Sequence, residues 1–217
     1  MSFVLDWERT GRTGVAEAVL CDSKLPEQIA AILDQAIADR RRLLLTRLRP
    51  DQFHALPHSC RSGLDFDPSS RTAILGAPRP GREPKTGAVI VAAGTSDLAV
   101  ASEAARTLSF HGYAAPVIAD VGVAGLWRLM ARLEEIRTAR VVIAIAGMEG
   151  ALFSVLAGLV EAPVIALPSS VGYGVAANGQ AALHSALASC APGVLAVNID
   201  NGFGAAAAAI KILNLSS

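Results

Sequence analysis

Residues 140–174, RVVIAIAGMEGALFSVLAGLVEAPVIALPSSVGYG, decide the fold of this protein. The segment contains an apolar strand, a glycine turn, a helix, a second turn and a second apolar strand. Strands that are apolar throughout and joined by a helix are typical of a parallel sheet covered on both faces. The segment is not a membrane span, because glycines, two glutamates and Pro163 interrupt it before about 20 apolar residues accumulate.

The same unit recurs on both sides of this segment. We predict strands at 88–93, 114–119, 140–146, 163–167 and 194–198, with helices at 97–111, 126–137, 151–160, 175–189 and 205–213. Five strand–helix units in succession indicate an α/β three-layer sandwich with a parallel sheet. We assign this domain to residues 88–217.

The first 75 residues have a different pattern, which predicts a small α+β domain. Residues 26–39 have apolar side chains at helical spacing after a proline suited to a first turn. We predict a short strand at 42–48, a helical turn at 51–56, and further strands at 63–67 and 71–75. Residues 76–87, GAPRPGREPKTG, are rich in proline, glycine and charge and predict a linker.

The composition excludes several classes of protein. Of the 217 residues, 52% are hydrophobic, and 19 acidic residues balance 19 basic ones, so we expect a small ligand and no nucleic-acid partner. Three cysteines without a CxxC pair predict neither a disulfide framework nor a zinc site. The charged N-terminus lacks an apolar signal segment, and we expect a cytoplasmic protein without a membrane partner.

The predicted loops differ sharply between the two edges of the sheet. Each loop after a strand combines glycine with polar groups, whereas the loops before the strands have no motif of this kind. Ligands of parallel sheets bind at the carboxyl ends of the strands. The sequence therefore places a site in the loops GTSD (94–97), DVGVAG (120–125), GMEG (147–150), PSSVGYG (168–174) and NIDNGFG (198–204).

Several of these loop residues have two interpretations. Free N–H groups at 94–97, with the Thr95 and Ser96 hydroxyls, suit a phosphate or carboxylate. Asp97 either caps the helix or holds a divalent cation. Glu149 is either a charge favoured by the helix dipole or a proton-transfer group. Asp120, like Asp97, also suits a helix cap.

Residues 200–201 and Cys190 have ordinary structural interpretations. The Asp-Asn-Gly sequence at 200–202 is typical of a turn. Cys190 follows a predicted helix, and isolated cysteines are usually inert core residues. The negative end of that helix would oppose a thiolate, so Cys190 would need a nearby cation to become a nucleophile.

Four stretches resemble a known family. They are AAGTSDLAVASEA (92–104), ADVGVAGLWRL (119–129), AGMEGALFSVLAGL (146–159) and the segments from PSSVGYG to SCAPGVLAVNIDNGFGAA (168–206). The fold they indicate is similar to that of phosphoribosylaminoimidazole carboxylases. The closer resemblance is to the pyridinium-3,5-biscarboxylic acid mononucleotide synthases of nickel-pincer cofactor biosynthesis (lactate racemase maturation). The N-terminal DWERTGRTGVAEAVLCDSKLPEQIAAIL resembles that family's extension.

The resemblance implies a reaction. The synthases carboxylate the pyridinium ring of nicotinic acid adenine dinucleotide with carbon dioxide or bicarbonate and hydrolyse its phosphoanhydride, releasing AMP. The resemblance implies that Cys190 is the covalent nucleophile, Glu149 the proton-transfer group and Asp97 a ligand of Mg²⁺. It implies no organic cofactor. The implied substrate-binding residues are Gly94, Thr95, Ser96, Asp120, Gly147, Met148, Ser169, Ser170, Gly172, Tyr173, Gly174, Asn201, Gly202 and Phe203.

The resemblance also implies a homo-oligomer, because the related carboxylases form octamers. The synthases often have histidine where this chain has Trp127. Two alternative functions stay open: aminoimidazole ribonucleotide carboxylase or mutase chemistry, and nucleotide binding without catalysis. The N-terminal region and Cys190 favour the synthase over the first alternative, and turnover would exclude the second.

Overall fold

A computed structural model describes residues 3–77, 81 and 83–215. The chain divides into two compact units, Met1–Glu83 and Pro84–Ser217, which are described separately. Residues 78–80 and 82 of the predicted linker lie outside the described residues. None of the described helices combines the length and the hydropathy of a membrane-spanning segment.

The first unit is a four-stranded sheet with helices. Its elements are α1 (Arg9–Thr13), β1 (Ala18–Leu20), α2 (Pro26–Ala38), β2 (Leu43–Thr46), α3 (Pro50–Ala55), α4 (His58–Arg61), β3 (Leu64–Asp67) and β4 (Thr72–Leu75). The strand order is β1-β2-β4-β3, with β1 and β2 parallel and the other pairs antiparallel. Apolar side chains of α2 and β2 form its core together with Cys21 and Cys60. The prediction of a small α+β domain is confirmed.

The second unit contains the predicted parallel sheet. Its elements are β5 (Ala88–Ala92), α5 (Leu98–Phe110), β6 (Val117–Ile118), α6 (Leu126–Ala131), α7 (Leu133–Arg137), β7 (Val141–Ala146), α8 (Ala151–Ala157), β8 (Val164–Pro168), α9 (Gln180–Leu187), β9 (Val194–Ala196) and α10 (Gly202–Asn214). The order is β6-β5-β7-β8-β9, and every adjacent pair is parallel.

Helices cover both faces of this sheet, which confirms the three-layer α/β prediction. Alternate strand residues such as Val89, Val142 and Val164 pack with apolar side chains of α6 to α9. On the other face, α5 and α10 pack against each other and against the central strands. Because successive strand side chains point to opposite faces, strands buried on both sides have to be apolar throughout.

Several predicted elements are shorter than expected. The strand predicted at 114–119 is paired at Val117–Ile118, because Pro116 has no N–H to donate to a neighbouring strand. The helix predicted to reach Arg137 divides at Arg132, whose backbone leaves the helical region. The segment before α9 is a 3-10 turn, Gly174–Gly179, with a left-handed residue at Asn178.

Candidate active site

The strand order creates a crevice at the carboxyl edge of the second unit. From β5 the chain moves to β6 on one side and then to β7 on the other. The loops after β5 and β7 therefore lead to helices on opposite faces, and such a topological switch point is where doubly wound sheets bind ligands. Gly94–Asp97 and Gly147–Gly150 are the two loops that flank it.

Asp97 is buried at this crevice and joins two loops. Its side chain is 3% exposed. One carboxylate oxygen accepts the Gly94 N–H at 2.9 Å, and the other accepts the hydroxyl of Ser169, just after β8, at 2.5 Å. Thr95 and Ser96 between them are exposed. Asp97 thus fixes the loop and leaves the two neighbouring hydroxyls available to a ligand.

Asp120 pairs with a cation that sequence reasoning missed. The carboxylate lies 2.6 Å from a guanidinium nitrogen of Arg128, on α6. Gly125 is closely covered by this side chain, because a Cβ there would lie 2.8 Å from Arg128 Nε. The eight-residue separation from Asp120 crosses a 3-10 turn and follows no helical spacing, so the sequence contains no regular signal for this pair.

The loop after β7 depends on close backbone approach. Met148 N–H donates to Val171 O at 2.9 Å. A Cβ on Gly147 would lie 2.0 Å from that same carbonyl oxygen, so any side chain there would displace the loop after β8. Gly147 and Met148 thus join the two predicted ligand loops directly.

Backbone strain is concentrated at the same edge. Asp120, Met148 and Asp200 have φ values of 61°, 51° and 53°, and each follows a strand of the sheet. A left-handed backbone costs a non-glycine residue about 1–2 kcal/mol. Strain of this kind persists where the surrounding structure imposes it and is typical of ligand sites.

The loop after β9 is tied to the loop after β8. Asp200 N–H donates to Pro168 O at 2.9 Å, and the Asp200 carboxylate accepts the Ser170 N–H at 2.8 Å. Asn201 caps α10 by accepting the Gly204 N–H at 2.8 Å, and Phe203 is half-buried. Sequence reasoning treated Asp200 as an ordinary turn residue and missed this link.

The loop from Ser170 to Gly174 is the most exposed part of the edge. Ser170 and Gly174 are exposed, and the Tyr173 side chain is 78% exposed. Gly172 approaches the backbone so closely that a Cβ would lie 2.4 Å from Ala176 O. The predicted binding residues of this loop are therefore accessible to a ligand. Ser169, which immediately precedes the loop, is instead buried against Asp97.

Glu149 differs from the other carboxylates at this edge. Asp97, Asp120 and Asp200 are each engaged by protein donors. Glu149 is exposed, and within the part of the chain that the structure describes its side chain has no hydrogen-bond or ion-pair partner. It is the carboxylate at this edge best placed to exchange a proton with a ligand.

Cys190 lies at the other edge of the sheet. It follows α9 and precedes β9, and nearby Gly193 O accepts the N–H of Val164, the first residue of β8. The amino and carboxyl edges are separated by strands of five to six residues, about 17–20 Å. Within one chain the structure therefore does not bring Cys190 together with Glu149 and Asp97. Its thiol is nevertheless exposed.

The other two cysteines are unsuited to nucleophilic chemistry. Cys21 and Cys60 are fully buried in the core of the first unit. Burial raises the pKa of the Cys21 thiol to about 12, and burial together with the Asp34 carboxylate raises the pKa of Cys60. The exposed Cys190 is thus the cysteine accessible to a substrate.

Two family models match almost the whole chain. The LarB/PurE-like N-terminal domain matches residues 2–77, and AIR carboxylase matches residues 88–217. The chain belongs to the LarB family. This is the family of pyridinium-3,5-biscarboxylic acid mononucleotide synthases, related to PurE, and it identifies the protein as a carboxylase-type enzyme.

Individual relatives of this LarB-family chain add little about function. An uncharacterized protein of Methanocaldococcus jannaschii is 37% identical over 210 residues, covering 93% of this chain and 80% of the relative. The crystal structure of a PurE2 variant of Treponema denticola is 21% identical, with a TM-score of 0.46, covering 61% of this chain and 91% of that one.

Asp97 is not free to act as the magnesium ligand expected there. Both of its carboxylate oxygens already accept protein hydrogen bonds in a buried position. Among the described residues, no group of three or more His, Cys, Asp or Glu side chains could hold a metal ion. The geometry instead gives Asp97 the role of joining the loops after β5 and β8.

Proposed function

We propose that this protein carboxylates the pyridinium ring of nicotinic acid adenine dinucleotide, using carbon dioxide or bicarbonate, and hydrolyses the phosphoanhydride. The products are pyridinium-3,5-biscarboxylic acid mononucleotide and AMP. The observation that carries the proposal is Glu149, which is exposed at the switch-point crevice of a LarB-family chain and has no partner among the described residues. The exposed Thr95 and Ser96 hydroxyls and Arg128 supply donors suited to a dinucleotide's phosphates.

The ring chemistry requires a temporary nucleophile. A pyridinium ring is electron-poor and does not attack carbon dioxide. When a thiolate bonds to ring carbon 4, the ring becomes a neutral dihydropyridine whose carbon 5 is an enamine carbon. Carbon 5 then bonds to carbon dioxide, and the ring nitrogen becomes an iminium.

Restoring the aromatic ring requires a base. Glu149 removes the proton from carbon 5, and the electrons of that C–H bond neutralise the iminium. Cleavage of the carbon–sulfur bond then returns the electron pair to sulfur and regenerates the pyridinium ring. Water cleaves the bond between the two phosphates in a separate step, without redox change.

The thiolate in this proposal is that of Cys190 from a second copy of the chain. Cys190 lies at the amino edge of its own sheet but is exposed, so another protomer can receive it at its crevice. Large exposed apolar side chains on the second unit support assembly: Trp127 is 73% and Tyr173 78% exposed. The substrate's cationic ring would favour a thiolate that approaches it.

The activity is tested with purified protein, the dinucleotide and ¹³C-bicarbonate. AMP release and ¹³C in the mononucleotide are the expected results, and the absence of both would refute the proposal. Because the AIR carboxylase model also matches residues 88–217, aminoimidazole ribonucleotide serves as the competing substrate. Turnover of that substrate alone would establish the alternative function.

Replacement of Glu149 tests the proton transfer. Glu149→Gln should reduce carboxylation by about 100-fold or more, because general bases contribute about 10²–10⁴-fold. Affinity for the dinucleotide should change little, since the amide is isosteric. Asp65→Asn, at an exposed position of the first unit, is the matched control and should keep full activity. Wild-type turnover by Glu149→Gln would exclude the assigned role.

A further inference from the structure

Glu103 is a buried carboxylate for which the proposed chemistry has no use. It lies on α5 and is 6% exposed. Its Oε2 accepts the N–H of Gly202, the first residue of α10, at 3.0 Å. Burying a carboxylate is costly unless donors compensate, and the positive end of a helix supplies such a donor. The start of α10 is therefore held by a specific interaction.

Close packing makes this contact rigid. A Cβ on Gly202 would lie 2.7 Å from Glu103 Oε2 and 2.8 Å from Val100 O. A side chain at position 202 would therefore push α10 away from α5. The glycine, which sequence reasoning assigned to substrate binding, is thus required by the packing of these two helices.

The start of α10 leads directly into the ligand loops. Asp200, two residues before it, bonds to Pro168 O through its N–H and to the Ser170 N–H through its carboxylate. A shift of Gly202 therefore moves Asp200 and loosens the segment from Pro168 to Gly174. That segment is also held by Asp97, the residue immediately before α5, through the Asp97–Ser169 bond. The loops after β8 and β9 are thus held from two points, Glu103 on α5 and Asp97 at its start.

We propose that Glu103 is a positioning residue of the active site. It fixes the start of α10 and, through Asp200, sets the position of the loop from Pro168 to Gly174, which lies against the dinucleotide. The identity of the ligand rests on the proposed function, whereas the positioning rests on the contacts of Glu103, Gly202 and Asp200. Glu103 does not itself touch the substrate in this proposal.

Amide hydrogen exchange tests the positioning without requiring activity. In Glu103→Ala, exchange should accelerate about tenfold or more in both 168–174 and 199–204, because local opening becomes easier. Glu103→Gln keeps an acceptor and should stay near wild type. Glu134→Ala removes an exposed glutamate paired with Arg137 at 2.8 Å and is the matched control. Should Glu103→Ala not fold, Glu103→Asp, with its shorter reach, should show the same increase.

Unchanged exchange at 168–174 in the folded Ala or Asp variant would overturn the proposal. So would an increase confined to α10, which indicates local packing alone. A calorimetric Kd for nicotinic acid adenine dinucleotide provides the second readout. Glu103→Ala should weaken binding about tenfold in the wild-type background. When Asp200 is already replaced by alanine, the same substitution should weaken binding less than about twofold, because the effects of coupled residues are not additive. A wild type that neither binds nor cleaves the dinucleotide refutes the proposed function, while the exchange data still decide the role of Glu103.

Discussion

At the scale of single residues, the carboxylates at the carboxyl edge of the sheet differ in their hydrogen-bond and ion-pair partners. Asp97, Asp120 and Asp200 are all used to hold loops, whereas Glu149 is exposed between two glycines. Identical chemical groups thus acquire different roles through their surroundings. Neither helix-cap statistics nor spacing distinguishes them, because the donors come from residues up to 72 positions away.

The Asp97–Ser169 bond should contribute measurably to stability. Ser169→Ala removes one donor from a buried carboxylate, and hydrogen bonds to charged groups contribute about 1.5–3 kcal/mol. We expect the free energy of unfolding to fall by about that amount, measured by urea denaturation. Ser170→Ala is the matched control, since Ser170 is exposed and its bond to Asp200 uses the backbone. Equal effects of the two substitutions would contradict this account.

At the scale of elements, glycine turns allow the loops to approach one another. The loop after β7 touches the loop after β8 through Gly147 and Met148, and α10 touches α5 through Gly202. Strand and helix positions set the edge, but these contacts determine the shape of the crevice. The glycines that look like ligand contacts in the sequence are therefore also required by packing.

Substitution at Gly147 should separate these loops. In Gly147→Ala the added Cβ would lie 2.0 Å from Val171 O. Overpacking of this kind costs about 1–3 kcal/mol of stability. Thermal unfolding should show the loss, and dinucleotide binding should weaken as the loop after β8 moves. Gly158→Ala, whose Cβ would meet ordinary contacts at 3.5 Å, should leave both unchanged. A stable Gly147→Ala variant with normal binding would disprove the close approach.

The core of the first unit should be sensitive to alkaline pH. Burial raises the pKa of the Cys21 thiol from its ordinary value, about 8.5–9, to about 12 in the folded protein. Between these values the unfolded state binds fewer protons, so the free energy of unfolding falls as pH rises, by at most about 1.4 kcal/mol per pH unit. Urea midpoints at pH 8 and pH 10.5 measure this slope.

Two alanine variants check the origin of that pH dependence. Cys21→Ala removes one of the two buried thiols and should reduce the slope. Cys190→Ala removes an exposed thiol and should leave the slope unchanged. An unaltered slope in Cys21→Ala would show that other groups dominate the alkaline loss of stability.

At the scale of the whole molecule, the proposed chemistry needs more than one chain. Cys190 and Glu149 lie at opposite edges of one parallel sheet, so the same site has to combine residues from two copies. We expect a homo-oligomer, with an octamer as the first arrangement to test by light scattering. A monomer with full activity would be incompatible with this arrangement.

Mixing two carboxylation-deficient variants tests the shared site. Cys190→Ala and Glu149→Gln should each carboxylate the substrate very slowly when tested alone. After subunit exchange, some crevices receive a native Cys190 from one protein and a native Glu149 from the other, so carboxylation should partly return. Glu149→Gln mixed with itself is the control. No recovery despite demonstrated exchange would refute the contribution of a second copy.

The sequence alone determined the parallel sheet, the small N-terminal domain and the edge where the polar loops gather. Apolar strands, helical spacing and glycine turns are local patterns, and parallel strands bring all of their carboxyl ends to one edge. The motifs also identified the family. These conclusions need no knowledge of which distant residues touch.

The tertiary structure decided which residues are free and which are held. The engagement of Asp97 by Ser169, of Asp120 by Arg128 and of Gly202 by Glu103 depends on contacts between separate elements. The exposure of Cys190 likewise depends on how the segment after α9 packs, since isolated cysteines are usually buried. Hydrogen-bond partners that lie 99 residues apart, such as Glu103 and Gly202, leave no periodic trace in a single sequence, because only folding brings them together.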